Sequence, residues 1–309
     1  MQRLTDAADP DLGARFAGVR PAWEAIQFTG YGEAVRLLAS EVYGMEDWSA
    51  AALHRAEEKL RQWQQPGGRY QLLRQVGKLD HVQVDDFCWP CLPDPSGPDF
   101  FLYDLSWASF GNGQIDAEGL CRETGGTVSS LSSLRQGMEQ LFAKYAPCAV
   151  AVKAQHAYNR TLCWQERGDD EAENALQVVL AHKELMHIAY PYSDELVALT
   201  KHYRNVWADL CWAWSIAPYT AADFVRRFLH AAPASKLFAF GGDTRWPTSS
   251  VAYALQARRW FHYALQGEVG DGLLLERQAM DLATRLMRLN QEECFDLKGT
   301  RAAIGAARA

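Results

Sequence analysis

Apolar residues recur at helical spacing over long stretches of the chain, and short continuous apolar runs break that rhythm at intervals. Residues 21–65 carry the helical pattern. Positions 31–42 form an apolar stripe, and 50–60 is rich in strong helix formers. Ser49 is placed to cap the second of these, Gln65-Pro66-Gly67-Gly68 ends it, and His54 inside it reads as a surface or packing residue. A short helix is expected over 70–76, stopped by Gly77. Beyond it, strand-like apolar runs cover 81–84, 100–105, 147–153, 185–190, 205–212 and 236–240. Helical stretches at 129–145, 171–184, 194–202, 221–232 and 249–289 alternate with most of them.

Short apolar strands alternating with helices predict a parallel sheet with helices outside it. The expectation is an α/β fold, a TIM-barrel-like (β/α) domain over 69–309, with 1–68 a mainly helical segment packed on it. An open doubly wound sheet is the alternative. In a barrel, functional side chains gather at the carboxyl ends of the strands. Lys153, at the end of an apolar run, belongs at such a strand mouth, because burying an unpaired ammonium is costly. Asp243 follows a strand and two glycines, which let the backbone approach closely and aim the carboxylate into the mouth. The blander role for Asp243, alongside Thr244, is to cap the next helix. Asp209 alternates with Ala208 and Leu210 and faces the mouth on the same reading. Asp85-Asp86 after the 81–84 strand is either a catalytic pair or a solvated turn.

The excess of 38 acidic over 31 basic residues leaves a net charge of −7, which argues against a broad nucleic-acid-binding surface. Neither a Gly-x-Gly-x-x-Gly after a strand nor a phosphate loop occurs, so nucleotide binding has no sequence support. No apolar run approaches 18 residues and residues 1–20 lack a signal core, so a cytoplasmic protein without a membrane span is expected. Seven cysteines, an odd number without regular spacing, fit a reduced compartment. Cys88-Trp89-Pro90-Cys91 has the spacing of a redox or zinc half-site but lacks a partner pair, and reads as loop cysteines.

Several segments taken in order carry a family resemblance. Lys153 with Tyr158-Asn159-Arg160, then His187-Ile188-Ala189-Tyr190-Pro191-Tyr192, then Phe240-Gly241-Gly242-Asp243-Thr244 resemble the amidohydrolase-related metal-dependent hydrolases, in the branch near uronate-isomerase-like proteins. Asn290 to Phe295 looks like a degraded form of the terminal helix motif. The resemblance implies a barrel that uses a divalent ion, Zn foremost with Mn or Fe as alternatives, to activate water. It makes His187 and Asp243 metal ligands, with Asp243 also the catalytic general base. Two features depart from the family pattern. No His-x-His occurs, and only one helical stretch separates Arg160 from His187, so the ligand-bearing first and fifth strands are missing. Two remaining ligands are fewer than a tight zinc site uses. A barrel so shortened would be incomplete or distorted, and its open edges would favour a homodimer.

The expected function is therefore a metal-dependent hydrolase acting on a small polar or carboxylated substrate. Lys153 and Arg160 would bind the substrate carboxylate, and Tyr190 and Asp209 would line the site. For the Lys153–Arg160 pair the alternative is a structural ion pair, and for Tyr190 plain packing. Uronate isomerisation, decarboxylation, or a non-catalytic scaffold retaining half the site are the other functional readings.

Overall fold

Side-chain caps open several of the helices where the sequence marks them. A computed structural model describes residues 11–155, 166–181 and 193–307. Asp11 accepts hydrogen bonds from the Gly13 and Ala14 amides at the start of α1 (Leu12–Ile26). Thr29 caps α2 (Gly30–Leu37), and Ser49 caps α3 (Ala50–Gln64) by accepting from the Ala52 amide at 3.1 Å. The short parallel strands β1 (Val82–Val84), β2 (Phe101–Tyr103) and β3 (Leu105–Ser106) come next, then α4 (Leu131–Tyr145), β4 (Val152–Lys153) and β5 (Ala208–Asp209). The remainder contains α5 (Pro218–Ala231), β6 (Leu237–Phe238), α6 (Pro247–Gly270), α7 (Glu276–Thr284) and α8 (Leu297–Ala306). Further helices, among them Ala117–Thr124, Asp169–Ala181 and Ser193–His202, lie between these elements.

The chain divides into two compact units, Met1–Asp80 with Tyr192–Cys294, and His81–Pro191 with Phe295–Ala309. In the first, α6 is the central element. It touches α2, α5 and α7, and Val251, Ala254, Ala257, Phe261, Ala264, Leu265 and Glu268 are buried along it. Their three- and four-residue spacing makes one continuous buried stripe. Alanines at 254, 257 and 264 keep that stripe narrow enough for close helix approach. The strand pair β5–β6 adds Ala208, Leu210, Leu237 and Ala239 to the same core, with Trp214, Phe224, Val225 and Phe228.

The second unit is built around its parallel strands. β1 pairs with β2, and β3, just after β2, pairs with β4. The Asp104 amide donates to Val84 O at 2.9 Å, and the Leu105 amide donates to Ala151 O at 2.9 Å, so residues 101–106 are bonded on both sides. α8 returns to this unit: Leu297 and Ile304 pack with Leu102 and Val150. A second cluster joins Leu120, Leu134, Leu141 and Leu176.

This is not the expected (β/α) barrel. Helix makes up 64% of the structure, and among the described residues the strands form three two-stranded sheets with no closure. Closing a barrel requires every strand to be hydrogen-bonded along both edges over several residues. Here the pairs run for two or three residues. Two apolar runs also give up most of their strand length. In the 147–153 run, the start joins the turn Ala146–Cys148 and only Val152–Lys153 pairs. In 205–212, only Ala208–Asp209 pairs before Trp212 takes a left-handed backbone conformation and starts the helix Ala213–Ile216. The expected 185–190 strand lies outside the described residues.

Candidate functional site

The parallel pair β5–β6 brings two loops together at its carboxyl end. The ladder continues past the strands, with the Leu210 amide donating to Phe238 O at 3.0 Å and the Trp212 amide to Gly241 O at 2.8 Å. Position 241 must be glycine for this approach, because a Cβ there would lie 2.6 Å from Cys211 Sγ and 2.9 Å from Cys211 Cβ. Two non-glycine residues in these loops have positive φ, Trp212 at 62° and Asp243 at 41°. An acid tolerates that region better than a bulky indole does, so the larger backbone strain sits at Trp212. Strain of this kind clusters at binding sites in folded proteins.

Two aromatic rings meet at the Trp212 loop. Tyr31, from α2, meets Trp212 edge-on at a centroid distance of 6.2 Å, and each is 38% exposed. Burial raises the phenol pKa values of Tyr31 and Tyr253, and the negative charge of Asp243 raises both further. The carboxylate thus acts electrostatically on two rings from different helices. Among the described residues, Asp243 has no hydrogen-bond or ion-pair partner. It does not cap the following helix: α6 starts without a side-chain cap, and Thr244 Oγ1 accepts from the Trp246 amide at 3.2 Å. Asp209 stands at the end of β5, where its Oδ1 accepts from the Cys211 amide at 2.9 Å.

Lys153 belongs to the other unit. Its ammonium donates to Asp85 Oδ2 at 3.2 Å, joining the carboxyl ends of β4 and β1. Asp104 lies in the same strand layer with 2% exposure and accepts from Gln83 Nε2 at 2.7 Å. Burial pushes its pKa up to about 7, although the Gln83 hydrogen bond and the Lys153 charge both pull it down. Cys91 is buried and its thiol is pushed up to about 12, first by burial and then by Asp104 and Asp86. The Cys88 thiol is raised as well, by burial and by the two neighbouring aspartates. Both cysteines of the Cys-x-x-Cys segment thus favour the thiol over the thiolate in this environment.

Of the residues singled out from the sequence, Asp209 and Asp243 share one strand end and Lys153 lies at another, in the other unit. His187, Arg160 and Tyr190 lie outside the described residues. Sequence reading missed Tyr31 and Tyr253, which fall inside helical patterns and carry no local signal. It also missed Asp104, whose one signal is an acid inside the apolar run Phe100 to Leu105.

Among the described residues no group of three or more His, Cys, Asp or Glu side chains is arranged to hold a metal ion. Asp243 contributes a single carboxylate, and that donor set does not fit a zinc ion. With the barrel also absent, the resemblance to amidohydrolase-related hydrolases and the metal-dependent hydrolase activity it implied are corrected. No protein-family model matches the chain, and no curated protein matches it. Among the described residues no helix is long and apolar enough to cross a membrane.

Proposed function

We propose that this chain is a small-molecule-binding protein whose site lies at the carboxyl ends of β5 and β6. Asp243 is its anchoring group, and Tyr31, Trp212 and Tyr253 are its walls. The observation that carries this reading is the state of Asp243: a carboxylate in a left-handed backbone conformation, without a hydrogen-bond or ion-pair partner among the described residues, and electrostatically coupled to two tyrosines. The carboxyl ends of parallel strands are where loops can place such groups without disturbing the core.

The reading is tested by an amide-resolved NMR titration of the full chain against a fragment set. Shifts clustered at positions 31, 212, 243 and 253, and lost in Asp243→Asn, support it. Asparagine keeps the tolerance for positive φ, so this variant removes the charge and leaves the backbone. Shifts that map elsewhere, or that persist unchanged in the variant, refute it.

A further inference from the structure

The first unit carries a cavity that shares no lining residue with the β5–β6 strand end. One wall is a face of α1 with its C-cap residue. Phe16, Arg20, Glu24 and Gln27 follow one another at three- and four-residue steps, and Trp23 lies between Arg20 and Gln27 at the same spacing. Trp48 closes the other side from the chain just before Ser49, whose cap on the Ala52 amide fixes where the chain enters α3. The Trp23 and Trp48 rings pack with their centroids 4.5 Å apart and their planes tilted by 32°. The cavity has a volume of about 340 Å³. Ligand pockets span roughly 300–1,000 Å³, so it suits a small molecule. Phe16, Trp23 and Trp48 are each only partly buried, which leaves ring surface facing the space.

The polar side of the cavity is an ion pair that keeps bonding capacity in reserve. Arg20 Nε donates to Glu24 Oε1 at 2.8 Å. Among the described residues, the two terminal nitrogens of Arg20 and the second oxygen of Glu24 have no hydrogen-bond partner. Opposite charges therefore stand side by side next to three aromatic rings. The terminal nitrogen pair of an arginine is an edge that grips a carboxylate through two parallel bonds. The open oxygen of Glu24 accepts from an ammonium group. A ligand with only negative charge would meet Glu24, and one with only positive charge would meet Arg20. An α-amino acid carries its carboxylate and its ammonium on one carbon, so its two charges are neighbours as those of Arg20 and Glu24 are. A ring on its side chain would cover the exposed parts of Phe16, Trp23 and Trp48. The geometry points to a site for a free aromatic amino acid. Its carboxylate lies on the Nη pair of Arg20, its ammonium on Glu24 Oε2, and its ring against Trp23, Trp48 and Phe16. This site stands apart from the β5–β6 reading and does not depend on it.

The test titrates the full chain with four probes: L-phenylalanine, 2-phenylethylamine, which lacks the carboxylate, 3-phenylpropanoate, which lacks the ammonium, and L-alanine, which lacks the ring. Binding is followed by the amide signals of positions 16, 20, 23, 24 and 48 and the indole N–H signals of Trp23 and Trp48. Phenylalanine should bind more tightly than each of the other three by about fivefold or more, the scale of one solvent-exposed charge pair. Arg20→Gln should bring phenylalanine down to the level of phenylethylamine, and Glu24→Gln should bring it down to that of phenylpropanoate. Both side chains are mostly exposed, so neither change threatens the fold, and circular dichroism checks that it is kept. Binding of a singly charged probe or of alanine as tight as that of phenylalanine overturns the assignment. So does phenylalanine binding that survives both variants unchanged, or the absence of any phenylalanine-induced shift at these positions. None of these outcomes bears on the β5–β6 site, whose own titration reads positions 31, 212, 243 and 253.

Discussion

His230 Nε2 lies 2.5 Å from Glu268 Oε2, and this contact ties α5 to the central helix α6. The other oxygen of Glu268 accepts from Arg226 Nε at 2.5 Å, and Arg226 also reaches Asp271. Glu268 is 1% exposed, so burial alone would raise its pKa. The Arg226 and His230 hydrogen bonds outweigh that burial and hold the carboxyl below its ordinary value.

Replacing Glu268 with Gln leaves a guanidinium and an imidazole facing a neutral amide, and this should destabilise the protein by about 2 kcal/mol at pH 7. Urea unfolding checks it. Because the folded-state pKa is depressed, the stabilisation from Glu268 is present above the ordinary glutamate range. It is lost as pH falls through the folded value, so the gap between wild type and Glu268→Gln should close in acid.

Asp104 should show the opposite slope. Its folded pKa is about 7 against an ordinary 3.8, so between these values the folded protein keeps a proton that the unfolded chain has released. Its contribution to stability therefore falls as pH rises from about 4 to about 7 and is constant above that. Asp104→Asn can still accept from Gln83 and carries no charge. It should stabilise the protein at pH 8 by a few kcal/mol, at most about 4, and flatten this part of the profile. Unfolding midpoints across that pH range would show either the slope or its absence.

At the β5–β6 strand end, Gly241→Ala should be destabilising by about 1–3 kcal/mol, since its methyl carbon would overlap Cys211. Combining it with Cys211→Ala removes the sulfur and leaves the Cβ contact, so the double variant should recover part of the loss. Thermal denaturation of the two single variants and the double variant measures the coupling.

The thiol of Cys91, buried and pushed up to about 12, should resist alkylation. At pH 8 iodoacetamide should modify it at least about a hundredfold more slowly than a free thiol, and modify it readily once the protein is unfolded. Peptide mass spectrometry resolves Cys91 from the exposed Cys88. Fast labelling of Cys91 in the folded state would contradict the burial.

Much of the local structure is legible in the sequence. Ser49 caps its helix, Gly77 ends the 72–76 turn, and the runs at 81–84, 100–105 and 236–240 contain β1, β2 and β6. The 249–289 stretch is read as holding long helical patterns, and α6, ending at Gly270, and α7, beginning at Glu276, fall within it. What periodicity cannot convey is which strands lie side by side, or how few residues pair. An apolar run such as 205–212 looks the same whether it fills a barrel wall or contributes two paired residues and then turns into a helix. The same limit governs the site. Asp209 and Asp243 are recognisable as acids after strands, whereas Tyr31 reaches their end of the sheet pair from a helix far away in sequence. Asp104 is hidden because a buried acid looks like an exception in an apolar run, and only the Gln83 and Lys153 partners explain how the fold tolerates it.

The return of α8 to the second unit affects how that unit comes into being on the ribosome. Leu102 and Val150 emerge early, while Leu297 and Ile304, which cover them, are translated only after the whole Tyr192–Cys294 segment. Until then the nascent chain holds an uncovered apolar face beside short parallel strands, the kind of surface that chaperones engage during synthesis.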